Sequence, residues 1–167
     1  MRADKVAVVT GAGSGVGRCV ALRLAMTGYR VALVGRTPVR LEQTGSLIDP
    51  PERWLAIPAD VTLDEDRHRI VRRTLEAFGR IDALVSNAGA VERHPFRDHT
   101  AHDLRRVFDV NAIGPIDLAA RCVRAMGPEG GAVVFTSSLA AVDPFPGLGV
   151  YGCAKAALHA ACRAIAR

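Results

Sequence analysis

Five short apolar runs, each followed by a stretch of helical period, set the tightest limit on how this chain can fold. Residues 5–9, 30–34, 54–59, 81–86 and 131–136 are rich in Val, Ile, Leu and Ala, and they are apolar continuously rather than alternately. A strand with one wet face alternates, whereas a strand covered on both faces does not. Strands covered on both faces and joined by helices make a parallel sheet with helices on either side. Between the runs, residues 16–27, 38–48, 64–78, 100–126 and 150–167 have helical periodicity. Gly28 and Gly79 stand where helix C-caps belong, and Pro38 stands at a first helical turn. Pro58 has no N–H to give a sheet, which assigns the third strand to an edge. The expected fold class is therefore α/β, a doubly wound parallel sheet within one domain over 1–167.

Composition excludes several function classes. No apolar run approaches the ~20 residues that span a bilayer, and no hydrophobic leader with a cleavage site follows Met1. A cytoplasmic protein without a membrane partner is expected. The net charge of +5 comes from arginines scattered along the helical stretches, which is the pattern of a solvated surface and not of a nucleic-acid footprint. Cys19, Cys122, Cys153 and Cys162 show no metal or disulfide spacing, so reduced thiols are expected. Cys153 lies between Tyr151 and Lys155 but on another helical face, where packing is its role. His94, His99 and His102 lie in or beside a polar connection without a carboxylate set, and no metal is expected.

The first strand runs into Thr10-Gly11-Ala12-Gly13-Ser14-Gly15-Val16-Gly17. Glycines at a strand-to-helix turn let backbone approach a diphosphate, and the helix N-terminus offers free N–H groups and the positive end of its dipole. The same glycines also suit a plain tight connection. The spacing fits T-G-x-x-x-G-x-G and neither G-x-G-x-x-G nor a P-loop. At the end of the second strand, where an acid commonly binds a ribose 2′-hydroxyl, the chain has Val34-Gly35-Arg36. A guanidinium there suits a 2′-phosphate, although a solvated loop arginine has the same appearance. Asp60-Val61 follows the third strand, either against a bound base or as an acid ahead of the next helix.

Tyr151 and Lys155 are four residues apart and share a helical face. A phenol ordinarily titrates near ~10, and a neighbouring cation favours its ionised form. The only lysines are Lys5 and Lys155. In an arginine-rich chain, a lysine at this place points to a need for a compact ammonium. Ser138 lies 13 residues before Tyr151 at the end of the fifth strand, where open α/β sheets bind ligands. Ser137 is its neighbour and the alternative. Asn111 falls within the long helical stretch, and Asn87-Ala88-Gly89 follows the fourth strand.

In order and spacing these elements resemble the short-chain dehydrogenase/reductase family across essentially the whole chain. The resemblance implies an oxidoreductase of alcohols and carbonyls on a Rossmann-like sheet. It makes Tyr151 the general acid–base and has Lys155 lower the pKa of Tyr151 and bind the nicotinamide ribose. Ser138 orients the carbonyl, and Asn111 holds a water in a proton relay. It implies cofactor contacts from Thr10, Gly11, Ser14, Gly15, Val16, Gly17, Arg36, Asp60, Val61, Asn87, Ala88, Gly89, Tyr151 and Lys155. NADP is expected over NAD, although Ser14 stands where many NADP-using members carry a basic residue. The partners it implies are a small alcohol or carbonyl compound and further copies of the chain. Members continue into a sixth and a seventh strand, so this chain is expected to be the first five strands of an incomplete fold. A non-catalytic dinucleotide-binding fragment or scaffold is the alternative.

Overall fold

The computed structural model describes residues 4–166. Five parallel strands form one sheet: β1 (Val6–Thr10), β2 (Arg30–Gly35), β3 (Trp54–Pro58), β4 (Ala83–Ser86) and β5 (Ala132–Phe135). Their order is β3-β2-β1-β4-β5, which places β3 and its Pro58 at an edge and β5 at the other. The chain winds outward from β1 to β3, then crosses to the opposite side of β1 for β4. Strand order therefore reverses between β1 and β4, and a crevice opens beyond their carboxyl ends.

Helices α1 (Gly15–Met26) and α2 (Pro38–Gly45) cover one face, where Val9, Ala21, Val31, Leu33 and Leu41 are buried together. Helices α3 (Asp64–Phe78) and α5 (Gly114–Ala125) cover the other, around Val8, Val34, Ile70, Leu84 and Leu118. Every residue of β1 is buried, which accounts for its unbroken apolar run. A smaller cluster of Val107, Ala112, Val150 and Ala154 joins α4 (Ala101–Phe108) to α6 (Gly149–Ile165). The four cysteines are free; Cys122 lies in the core, where burial pushes its thiol up to about 12. Among the described residues no helix is long and apolar enough to cross a membrane.

The structure departs from the sequence expectation in the long helical stretch. Between α4 and α5 the backbone widens into a π turn, Asp109–Ile113. Two contacts account for it. The Asn111 side chain donates to Val107 O at 3.0 Å, taking over a carbonyl of the preceding turn. Gly114 sits so close to the strand connection that a Cβ there would lie 2.4 Å from Val61 O, so α5 starts flush against that backbone. Helix α2 is shorter than expected, because at Gly45 a Cβ would meet the Trp54 ring at 2.3 Å and the chain turns away in tighter turns through Leu47 and Ile48.

Candidate active site

The crevice at the strand reversal is a cleft of about 610 Å3, within the range of small-molecule sites. Gly11, Ser14, Gly15, Val16, Arg36, Asp60, Val61, Asn87, Ala88 and Gly89 line it. Of the expected cofactor residues, Thr10, Gly17, Tyr151 and Lys155 are outside this lining. Thr10 is fully buried behind it, and its Oγ1 accepts from Asn87 N and Ala88 N, both at 2.9 Å. Gly17 is buried against the loop: a Cβ there would lie 2.2 Å from Gly11 O. Gly11 has φ +68° and leaves no room for a side chain beside Asn87. Gly15, at φ +52°, faces open space. The first-turn N–H groups of α1 have no intrahelical partners, so this cradle fits a diphosphate.

The loop carbonyls are held from behind. Arg18 donates through Nη2 to Gly13 O at 2.7 Å and through Nε to Thr44 Oγ1 at 3.0 Å. The buried Thr44 hydroxyl lies 2.9 Å from Ala12 O. Nothing in the sequence announced this clamp, since its members lie 26 residues apart. At the β2 end, Arg36, Thr37 and Arg40 line the cleft with no carboxylate partner among the described residues. Asp60 lines it too, while its Oδ1 accepts from Thr62 N and Oγ1 at 2.9 and 2.8 Å, so the acid also shapes the turn before α3.

Tyr151 is half-buried in the first turn of α6, and Lys155 is buried one turn later. The Lys155 ammonium lies 5.8 Å from the Tyr151 ring centroid and donates to Thr136 O at 2.9 Å. Burial pushes it below its ordinary value of 10.5. Gly89 brings the two halves together: a Cβ there would lie 2.8 Å from Asn111 Oδ1 and 3.3 Å from Lys155 Nζ. Asn111 is fully buried; its Nδ2 donates to Ala90 O and Val107 O, and its Oδ1 accepts from Ala90 N. Ser138 is half-buried beyond β5, and its Oγ accepts from Ala140 N at 3.2 Å. Ser137 Oγ is engaged elsewhere, 2.8 Å from His159 Nε2. The His94 and His99 rings meet edge to face with centroids 5.6 Å apart, and no group of metal-ligating side chains occurs among the described residues.

The family model described as short chain dehydrogenase matches residues 5–167. The chain belongs to the short-chain dehydrogenase family. It is 36% identical over 164 residues to an oxidoreductase of Thermotoga maritima, a match covering 97% of this chain and 64% of that protein. A crystal structure of a Brucella melitensis short-chain dehydrogenase/reductase superposes with a TM-score of 0.92 at 30% identity, over 98% of this chain and 68% of that one. An alcohol dehydrogenase from Thermococcus sibiricus complexed with 5-hydroxy-NADP gives 0.89 at 29% identity, over 96% and 69%. The chain thus spans about two thirds of the length of these relatives. The family binds nicotinamide dinucleotides, and the cleft's glycine cradle fits that group.

The buried ammonium sets a linkage that can be measured. A lysine whose folded value is lowered gives up its proton more readily folded than unfolded. Its contribution to stability therefore rises as pH climbs from the folded value towards 10.5. Lys155→Met keeps the volume and removes the charge. It should unfold at an equal or higher urea midpoint than the parent at neutral pH, and the parent should gain on it as pH approaches 10. Urea titrations of both proteins across that range check this; a large drop in midpoint for Lys155→Met at neutral pH would contradict it.

Proposed function

We propose that this site transfers a hydride between NADP(H) and the carbonyl or alcohol carbon of a small molecule, with Tyr151 as the proton donor and acceptor. The observation that carries this reading is the buried Lys155 ammonium, held by Thr136 O on the Tyr151 side of α6. Burying a cation is costly, and one hydrogen bond to a carbonyl offsets only part of that cost, so a buried ammonium beside a phenol is a candidate functional group. Here its field stabilises the negative charge that develops on the phenol oxygen as the proton leaves. The nicotinamide dinucleotide, when bound, supplies or takes up the hydride. In reduction Tyr151 Oη gives a proton to the carbonyl oxygen, and in oxidation it takes one from the alcohol. The Ser138 hydroxyl donates a hydrogen bond to that same oxygen and orients it. Asn111 has both side-chain donors committed to Ala90 O and Val107 O.

The cofactor preference rests on the end of β2. Gly35 offers no carboxylate to a 2′-hydroxyl, and Arg36 offers a guanidinium in the cleft. The solved relative from Thermococcus sibiricus carries 5-hydroxy-NADP, which is consistent with a phosphate at this place.

Dissociation constants for NADPH and NADH should favour NADPH by at least about tenfold, worth ~1.4 kcal/mol. Arg36→Ala should remove most of that ratio. Equal affinities in the parent, or an unchanged ratio in the variant, would contradict the assignment. With a ketone that turns over, Tyr151→Phe should lose at least about 10²-fold in rate, the lower end for a general acid–base group. Activity within a few-fold of the parent would remove Tyr151 from the chemistry. NADPH binding without turnover of any carbonyl would instead favour a non-catalytic dinucleotide binder.

A further inference from the structure

Tyr151, Lys155 and His159 are spaced one turn apart and form one stripe of α6. The residues leaving β5 meet this stripe turn by turn. Thr136 O takes the Lys155 ammonium at 2.9 Å. Ser137 Oγ lies 2.8 Å from His159 Nε2 and 3.5 Å from Lys155 O. Ser138 Oγ instead accepts from Ala140 N, and Ser138 begins the short turn Leu139–Ala141. The proposed chemistry needs Ser138 and Tyr151 to reach one substrate oxygen, so the placement of β5's end relative to α6 matters directly. Before Ser138, Thr136 N donates to Ser86 O at 3.0 Å; after it, the buried Ala140 packs so close to α6 that a Cβ on Gly152 would lie 2.2 Å from Ala140 O. Between these two anchors, the Ser137–His159 contact ties the residue next to Ser138 to α6 through a bond between side chains.

We infer that His159 is a positioning residue that, through its hydrogen bond to Ser137, fixes Ser138 against Tyr151. The inference rests on the hydride-transfer reading for its consequence in catalysis, but the pin itself does not. The imidazole lies two turns beyond Tyr151 on the stripe and does not line the cofactor cleft. Its removal acts on geometry at the substrate oxygen and leaves the dinucleotide's seat intact. Glutamine retains a donor and an acceptor at the end of the side chain, so it is able to take over the bond to Ser137. Alanine is not.

The test uses the chain itself with His159→Ala, His159→Gln, Ser137→Ala and the double variant of His159→Ala with Ser137→Ala. Amide exchange of the segment 136–141 is read by mass spectrometry, with β1 as the internal standard. His159→Ala should speed exchange of that segment by about five- to tenfold, the factor a lost hydrogen bond is worth, and leave β1 unchanged. Gln should restore slow exchange, and the double variant should be no faster than either single one. Where a ketone turns over, kcat should fall with the exchange change while the NADPH dissociation constant stays within about twofold of the parent. Unchanged exchange at 136–141 in His159→Ala would overturn the pin. Faster exchange throughout the protein, or no rescue by Gln, would make His159 a general packing residue and overturn it equally. Faster local exchange with unchanged kcat would overturn the positioning role. A chain that fails to bind NADPH would refute the functional reading instead, and the exchange measurement would still decide the pin.

Discussion

The whole site depends on one buried hydroxyl. Thr10 ends the central strand, and its Oγ1 accepts two main-chain N–H groups from the turn after β4. Those two strands flank the reversal in strand order, and each delivers a turn into the crevice. The glycine loop follows one of them and Asn87-Ala88-Gly89 the other. Without a common acceptor, the main-chain N–H groups of Asn87 and Ala88 would lose their partner, leaving the Asn87 side-chain bond to Thr10 O and the close approaches at Gly11 and Gly17 to join the two turns. With it, Asn87 and Ala88 are fixed against the loop, and both N–H groups are satisfied away from water. An unmet buried donor costs ~1–3 kcal/mol, so this arrangement is strongly preferred over one that leaves them open.

The same order extends outward from Thr10. Asn87 Nδ2 donates back to Thr10 O at 3.2 Å, and its Oδ1 accepts from Thr136 Oγ1 at 3.2 Å. Thr136 O then holds the Lys155 ammonium. A continuous set of polar contacts thus runs across the carboxyl ends of β1, β4 and β5 to α6. On one side it ends at the glycine loop, and on the other at Tyr151 and Lys155 on α6. Asn111 closes the ring from the π turn by gripping both backbone polar groups of Ala90. The fold places the site at the ends of strands, and these contacts set the spacing between its parts.

Much of this was legible in the sequence because it is written in local patterns. Continuous apolar runs gave the parallel sheet, Pro58 gave an edge strand, and the glycine spacing gave the cradle. The Tyr151–Lys155 interval placed both side chains on one helical face. What was not legible depends on residues far apart in the chain. The Arg18–Thr44 clamp, the Thr10–Asn87 contacts and the Ser137–His159 bond join positions 26, 77 and 22 residues apart. No periodicity encodes such pairs. The π turn was missed for a related reason. Helical periodicity in 100–126 is genuine on both sides of it, and the interruption is caused by an asparagine side chain and by a close approach at Gly114.

The glycine cradle and the turn after β4 form one unit through the Thr10 hydroxyl. Thr10→Val keeps the shape and removes the acceptor, whereas Thr10→Ser keeps the acceptor. The direct measurement is an NADPH titration of the two variants beside the parent, with folding of each checked by its circular dichroism. Thr10→Ser should bind within a few-fold of the parent. Thr10→Val, still folded, should bind at least about tenfold more weakly, a loss of ~1.4 kcal/mol. A folded Thr10→Val that binds NADPH as tightly as the parent would contradict it.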